Sequence, residues 1–239
     1  MGKKSREKQQ RRAVPKPPPV GKQQRSLWRT PRVRNAAPIV ALALVVGIAL
    51  VVALARSSHT AVKLGPALAN ESSLAGMQTG PPPWPAEHAK LADRLDQLGL
   101  PRLQSEGDVL HIHQHLDLYA GGRHLPVPAL IGINEQQRYL DPLHTHDASG
   151  IIHIESPTKT AYTLGQFFAV WGVRLTDQCI GGLCNNGSNQ LRAYVNGKRV
   201  TANPARIELA AHQEIVLTYG SPSQEPRKIP SSYPFPAGL

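Results

Sequence analysis

The sequence predicts an α+β protein in which an N-terminal transmembrane helix precedes a mainly β domain with one packed helix. Three observations indicate this class. Residues 36–55 form a stretch of 20 residues without a charge, which at about 1.5 Å per residue matches the roughly 30 Å hydrocarbon core of a bilayer. From residue 108 onward, apolar and polar residues alternate with the two-residue period of strands. Residues 163–171 instead have the spacing of a helix.

The first 35 residues form a basic tail. Their 12 lysine and arginine residues face a single acid, Glu7, so this segment alone carries the formal net charge of +11 and residues 36–239 sum to zero. A neutral folded part argues against nucleic acid as a ligand. We expect the tail, which lacks apolar periodicity, to be disordered and to remain in the cytoplasm by the positive-inside rule.

The uncharged stretch 36–55 is predicted to anchor the chain in the cell membrane as a single span. Arg34 and Arg56 flank it, and the positive-inside rule places residues 56–239 on the extracytoplasmic side. Cleavage after Ala55 is the alternative, because the Ala-Leu-Ala that ends there resembles a signal-peptide cleavage site. The length of the apolar run and of the basic tail favours an uncleaved anchor.

The rest of the chain divides into a linker, a domain and a tail. Residues 56–85 are rich in Ser, Gly, Ala and Pro, which predicts a semi-rigid linker. The domain is expected to span residues 86–220 and to begin with a short helix at 87–98, whose leucines recur on one face. Residues 221–239 are predicted to form an irregular tail.

Turn signals and periodicity predict the remaining elements of the domain. Gly121-Gly122 and Asn196-Gly197 mark turns, and Thr163 is a suitable helix cap. From Tyr162 to Gly220 the order of elements is similar to half of a β-grasp fold, a resemblance in order alone. The predicted elements are a hairpin over 109–127, a strand at 150–155, a helix at 163–171, a hairpin over 191–200 and a strand pair of 207–209 with 214–219.

Seven of the ten histidines fall between His111 and His153. Neutral imidazole is the commonest side-chain metal ligand. On a strand, His111, His113 and His115 project to one face. Because their Cα atoms span about 13 Å at about 3.3 Å per residue, we expect two of the three to bind an ion and the third to lie beside it.

A second pair of histidines, His144 and His146, lies in a predicted loop, with Asp147 placed to accept an imidazole N–H and fix its tautomer. His153 and Glu155 share one face of the next strand. The predicted metal ligands are His111, His113, His115, His144, His146 and His153.

Imidazole donors with an optional carboxylate suit Zn(II), Cu(II), Ni(II) or Fe(II). Methionine occurs twice only, which disfavours a Cu(I) carrier that relies on thioether ligands. His124 and His212 are expected at the surface or in a turn, outside the site. The cofactor predicted is therefore a divalent transition metal, Zn or Cu.

Cys179 and Cys184 are the only cysteines, and the spacing CIGGLC matches neither the zinc pattern nor the CxxC redox motif. In an extracytoplasmic, oxidising compartment this pair predicts a structural disulfide. The sequence contains no GxSxG elbow, Walker loop or dinucleotide fingerprint.

The strings HIHQHLDLY, PLHTHDASGIIHIES, YTLGQFFAVWG and YVNGK resemble an uncharacterised family of single-pass membrane-anchored bacterial extracytoplasmic proteins with an LHTHD-type histidine motif. The resemblance covers about residues 108–220. It implies a single-pass anchor and a histidine-lined domain, and it implies no particular activity.

Three functions are consistent with these features. The leading hypothesis is a non-enzymatic, membrane-tethered, extracytoplasmic domain that binds Zn or Cu. The first alternative is a zinc-dependent hydrolase or hydratase, in which three histidines leave an open position for water and Glu155 or Asp147 transfers protons. The second alternative is a structural or assembly subunit of a membrane complex, whose histidines only pack.

Overall fold

A computed structural model describes residues 61–69 and 71–239. The predicted cytoplasmic tail, transmembrane helix and alternative cleavage site lie outside the described residues. Within the described part, no helix is both long and apolar enough to cross a bilayer. The described part has an α+β fold that is mainly β, as predicted.

The regular elements of the described part are short, except for the first strand. The helices are α1 (Leu91–Leu98) and α2 (Leu164–Trp171), with 3-10 turns at Glu71–Ser73, Pro204–Arg206 and Pro222–Gln224. The strands are β1 (Leu110–Ala120), β2 (Arg123–Leu125), β3 (Ile133–Asn134), β4 (Tyr139–Leu140), β5 (Leu143–His144), β6 (Ile151–Ser156), β7 (Cys179–Ile180), β8 (Leu183–Cys184), β9 (Gln190–Val195), β10 (Lys198–Val200) and β11 (Glu214–Gly220).

The main sheet has the strand order β10-β9-β11-β1-β6-β5, and β2 pairs with the end of β1. β1 and β11 are parallel, and every other neighbouring pair in this sheet is antiparallel. Strand β1 is therefore central. It has β11 along one edge, and β6 followed by β2 along the other, so the strand with three histidines lies within the sheet.

The predicted hairpins and strand are present as β1-β2, β9-β10 and β6. The predicted pairing of residues 207–209 with 214–219 is wrong. Ile207 instead bridges Leu64, while β11 pairs with β9 and β1. Nearly all of β11 is buried, so a position between two strands provides partners for both of its backbone edges. The segment around Leu64 takes the place beside Ile207.

The two faces of β1 have different partners. Leu116 and Leu118 belong to the apolar core, together with Phe167, Phe168 and Trp171 of α2. The helix begins and ends as its sequence predicts: it has an N-terminal capping box at Thr163 and a left-handed glycine after its last residue. The opposite face of β1 carries His111, His113 and His115.

The described part of the predicted linker lies against the domain. Leu64 bridges Ile207, and Gln78 bridges Val173. Trp84 is buried and donates its indole N–H to the Gly80 carbonyl at 2.9 Å. The described part of the predicted linker therefore contacts the domain at these points, and Val62 and Trp84 pack against the apolar core.

The remaining predictions concern α1, the cysteines and the tail. α1 is shorter than predicted, but two of its leucines, Leu91 and Leu95, are fully buried. Cys179 and Cys184 form the predicted disulfide, which joins paired positions of β7 and β8. After Gln224 the described tail has no helix or strand, and its Tyr233 ring stacks on His115.

Candidate metal centre

The strand register brings histidines from three strands into one row. His113 of β1 pairs with His153 of β6, and His153 pairs with His144 of β5. Directly opposite residues project to the same face, with Cβ atoms about 4.5–5.5 Å apart. In the next row, His111 lies opposite Glu155. The imidazoles and this carboxylate therefore converge on the face of the sheet opposite the apolar core.

The first group comprises His144, His146, His153 and Glu155, which offer one ligand atom each, all within 4.8 Å of one another. The Nε2 atoms of His144 and His146 are 3.3 Å apart. Nδ1 of His153 is 3.0 Å from Oε1 of Glu155. Oε2 of the same carboxylate is 3.7 Å from Nε2 of His144.

The second group comprises His111, His113 and the same Glu155. The Nε2 atoms of the two histidines are 3.3 Å and 3.7 Å from Oε1 of Glu155, respectively. The two groups share this carboxylate and have no histidine in common. Glu155 is thus the centre of the whole cluster.

The tautomer of His144 is fixed by the backbone. Its Nδ1 donates to the Asp141 carbonyl at 2.9 Å, so Nε2 carries the lone pair that faces the cluster. The prediction that Asp147 fixes a tautomer is wrong for the described geometry. Its carboxylate accepts the Ser149 backbone N–H at 2.8 Å, because an aspartate two residues earlier readily closes such a turn.

Four of the six candidate ligands are buried, and two histidines are partly exposed to solvent. His113, His144, His153 and Glu155 are buried. The side chains of His146 and His111 are 44% and 49% exposed, respectively. Each group therefore has one histidine that reaches solvent, through which an ion could enter.

The protonation states favour metal binding. Burial lowers the pKa of His144 to about 4. Burial and the neighbouring imidazoles of His153 and His111 lower the pKa of His113 to about 4. Burial by itself would raise the pKa of Glu155, but its hydrogen bond with His153 and the adjacent histidines hold it at about 2. At neutral pH His113 and His144 are therefore neutral and Glu155 is ionised, the forms that coordinate metal.

Two polar atoms at the centre are unsatisfied. Nε2 of His113 and Oε2 of Glu155 are buried and have no hydrogen-bond partner among the described residues. Buried polar atoms nearly always have a partner, because an unpaired one retains its full desolvation cost. A cation bound between imidazole nitrogens and the carboxylate would satisfy both atoms, so the residues fit a divalent transition metal.

His115 lies apart from these two groups. Its Nδ1 is 2.8 Å from Oε2 of Glu214, and its Nε2 is 2.9 Å from the Ser149 carbonyl. With Asp117 and Glu214 it forms a third group whose side chains could hold an ion. The described residues therefore separate His115 from the other five predicted ligands and bring those five around Glu155.

His124 and His212 were expected outside the site. Nε2 of His124 is 2.9 Å from Asp117, and Nε2 of His212 is 3.2 Å from the Leu239 carbonyl. Glu155 was not among the predicted metal ligands, although the alternation in HIES places it on the same face as His153. The sequence does not reveal the strand register, and it is the pairing of β1 with β6 that brings His111 beside Glu155.

Comparisons with protein-family models, with curated proteins and with solved structures find no match to this chain. The described residues establish a capacity: groups of histidine and glutamate side chains that could bind a metal ion. They also show the disulfide between Cys179 and Cys184 and a mainly β fold whose main sheet carries the cluster.

Proposed function

We propose that this protein is a membrane-tethered, extracytoplasmic metal-binding domain without enzymatic activity, and that its ion is Zn(II) or Cu(II). One observation carries the proposal: His144, His146, His153 and Glu155 place four ligand atoms within 4.8 Å of one another. Zn(II) in structural sites is almost always coordinated by four protein ligands. Four ligands leave no position for a reactive water, which favours binding over catalysis.

The distances within this group support a bound ion. Two donors of a tetrahedral Zn(II) at about 2.0 Å lie about 3.3 Å apart, and the Nε2 atoms of His144 and His146 are separated by 3.3 Å. Since Nδ1 of His144 donates to a carbonyl, its Nε2 is an acceptor. Without an ion, His146 must supply a proton between the two nitrogens; with an ion, both lone pairs are used.

The location and tether are proposed from the sequence. The uncharged stretch 36–55 and the basic tail before it support a single span with the N-terminus in the cytoplasm. The disulfide between Cys179 and Cys184 supports an oxidising compartment. We also propose membership of the anchored family that the histidine strings resemble. A β-grasp-like sheet is supported by the order β10-β9-β11-β1 with β1 and β11 parallel.

Metal content tests the binding function. The full-length chain, purified in detergent with a tag that lacks histidine, is expected to contain Zn or Cu by elemental analysis. Chelator should lower its melting temperature, and added Zn(II) should restore it by mass action. The double substitution His144→Ala with His146→Ala should abolish this response, whereas His124→Ala should retain it. A metal-free chain with no response to Zn(II) or Cu(II) would instead favour an assembly subunit.

Protease accessibility tests the tether. Protease added to intact cells should digest the C-terminal domain and spare an epitope inserted at residue 10, because the positive-inside rule keeps the tail in the cytoplasm. Permeabilised cells provide the control in which both parts are digested. Protection of the C-terminal domain in intact cells would contradict the extracytoplasmic location.

The zinc hydrolase or hydratase remains the second candidate, because the group of His111, His113 and Glu155 has three ligands only. Three protein ligands leave a coordination position for water, the arrangement of catalytic zinc sites. Hydrolysis of an ester substrate by the metal-loaded chain, lost in His111→Ala, would favour this candidate.

A further inference from the structure

We infer that the histidine face binds two divalent ions, and that Glu155 bridges them with one carboxylate oxygen on each. The first ion is that of the proposed function, on which this inference rests. The second is held by His111, His113 and Oε1 of Glu155. Two-metal sites in proteins place their ions about 3.5–4 Å apart, a separation that one carboxylate spans.

The division of the ligands supports two ions. The histidines of the first group and those of the second group are different residues, and Glu155 alone belongs to both. Oε1 of this glutamate is within 3.7 Å of Nε2 in His111 and in His113. Its Oε2 instead is 3.7 Å from Nε2 of His144. Oε1 thus faces His111 and His113 and also accepts from Nδ1 of His153, whereas Oε2 faces His144.

The unsatisfied atoms support a second ion more directly. An ion in the first group would satisfy Oε2 of Glu155, which faces His144. It would leave Nε2 of His113 unpaired, because His113 is outside that group. A buried nitrogen without a partner is costly. An ion on the His113 side of Glu155 gives this nitrogen a partner and completes the polar cluster.

The two positions are unequal. The first has four protein ligands, three of them buried; the second has three, of which His111 is 49% exposed. The second ion also experiences repulsion from the first, which the single carboxylate between them only partly offsets. The second ion is therefore bound more weakly, keeps a coordination position for water and exchanges with solvent through His111. The first ion, which has four protein ligands, exchanges more slowly than the second.

Titration of the metal-free full-length chain with Zn(II) tests the inference. Calorimetry should show two ions per chain, the second bound at least ~10-fold more weakly because of the charge already present. His111→Ala should remove the second ion and change the affinity for the first by less than about twofold, since its side chain is half-exposed and belongs to the second group. His124→Ala, an exposed histidine paired with Asp117, is the matched control and should bind two ions.

Cu(II) gives an independent measurement. One equivalent should produce an ordinary mononuclear paramagnetic resonance spectrum, and the second should produce a coupled pair with reduced intensity. His111→Ala should restore the mononuclear spectrum at two equivalents of added Cu(II). No binding of any ion would refute the proposed function itself. If wild type binds one ion per chain, and His111→Ala either has no effect or lowers the affinity for that ion, the second position is refuted while metal binding stands.

Discussion

His113 and His115 stand two residues apart on the same face of β1 and are almost equally buried, at 4% and 5% exposure. Their environments differ completely. His115 uses both ring nitrogens, one with Glu214 and one with the Ser149 carbonyl. His113 has an Nε2 without a hydrogen-bond partner in the described part of the chain. Burial and histidine density alone therefore do not identify a ligand, because two equally buried histidines of one strand face use their ring nitrogens differently.

The pKa values of these two histidines move in opposite directions. Burial, together with the imidazoles of His153 and His111, lowers the pKa of His113 to about 4. Burial also acts to lower the pKa of His115, but the hydrogen bond and charge of Glu214 outweigh it, and this pKa is raised. Burial thus favours the neutral form of the first histidine, whereas Glu214 favours the protonated form of the second.

The largest expected effect comes from substituting the buried glutamate Glu155. Glu155→Gln removes the charge shared by both ions, so metal should no longer stabilise the chain. Wild-type protein should gain about 2.7 kcal/mol at a hundredfold excess of Zn(II) over its dissociation constant. Melting temperatures with chelator and with Zn(II) measure this gain.

Glu214→Gln is the matched control, because Glu214 is equally buried but pairs with His115. It should lower the stability of the metal-free chain and keep the full gain with Zn(II). A Glu214→Gln chain that loses the gain while Glu155→Gln keeps it would reverse the roles assigned to the two glutamates.

The second largest expected effect is a loss of stability of the metal-free chain at acid pH. His113 and His144 have native pKa values of about 4, against about 6.5 in an unfolded chain. Between these values the unfolded chain binds more protons, so stability rises with pH there and falls as the pH drops from about 6.5 to about 4. Thermal unfolding in chelator from pH 4 to pH 8 measures this loss, which His113→Gln should reduce.

His115 should act with the opposite sign. Because its native pKa is raised, its contribution to stability is complete below about pH 6.5 and is lost as the pH rises through the native value. His115→Gln should therefore flatten the high-pH side of the stability profile and leave the acid side steep. An acid side flattened by His115→Gln would contradict the separation of the two histidines.

Periodicity was enough to predict which residues of β1 and β6 face the site. The alternation in HIHQH and HIES places His111, His113, His153 and Glu155 outward from the core, and the disulfide and both main hairpins follow from spacing and turn residues. The convergence itself was not predictable, because it depends on β6 lying between β1 and β5. No local pattern states which distant strands become neighbours.

Two further features of the described part have the same origin. The parallel pairing of β1 with β11 joins His115 to Glu214 across about a hundred residues, and that pairing separates His115 from the other predicted ligands. The predicted linker packs on the core because Trp84 finds an apolar surface beside Trp171, with ring centroids 6.4 Å apart. Composition indicated a spacer, whereas burial of one large aromatic side chain decided the outcome.

The smallest expected effect tests whether the tail belongs to the metal centre. The Tyr233 ring stacks on His115 with centroids 3.8 Å apart and planes 11° from parallel. Tyr233→Ala removes this stacking, so it should lower the free energy of unfolding by about 1 kcal/mol and shift the urea midpoint accordingly. Its Zn(II) affinity should change by less than about twofold, because His115 is outside the groups around Glu155. A tenfold loss of Zn(II) affinity in Tyr233→Ala would mean that His115 and the ligand histidines act as one unit, and the contrast between His113 and His115 would then fail.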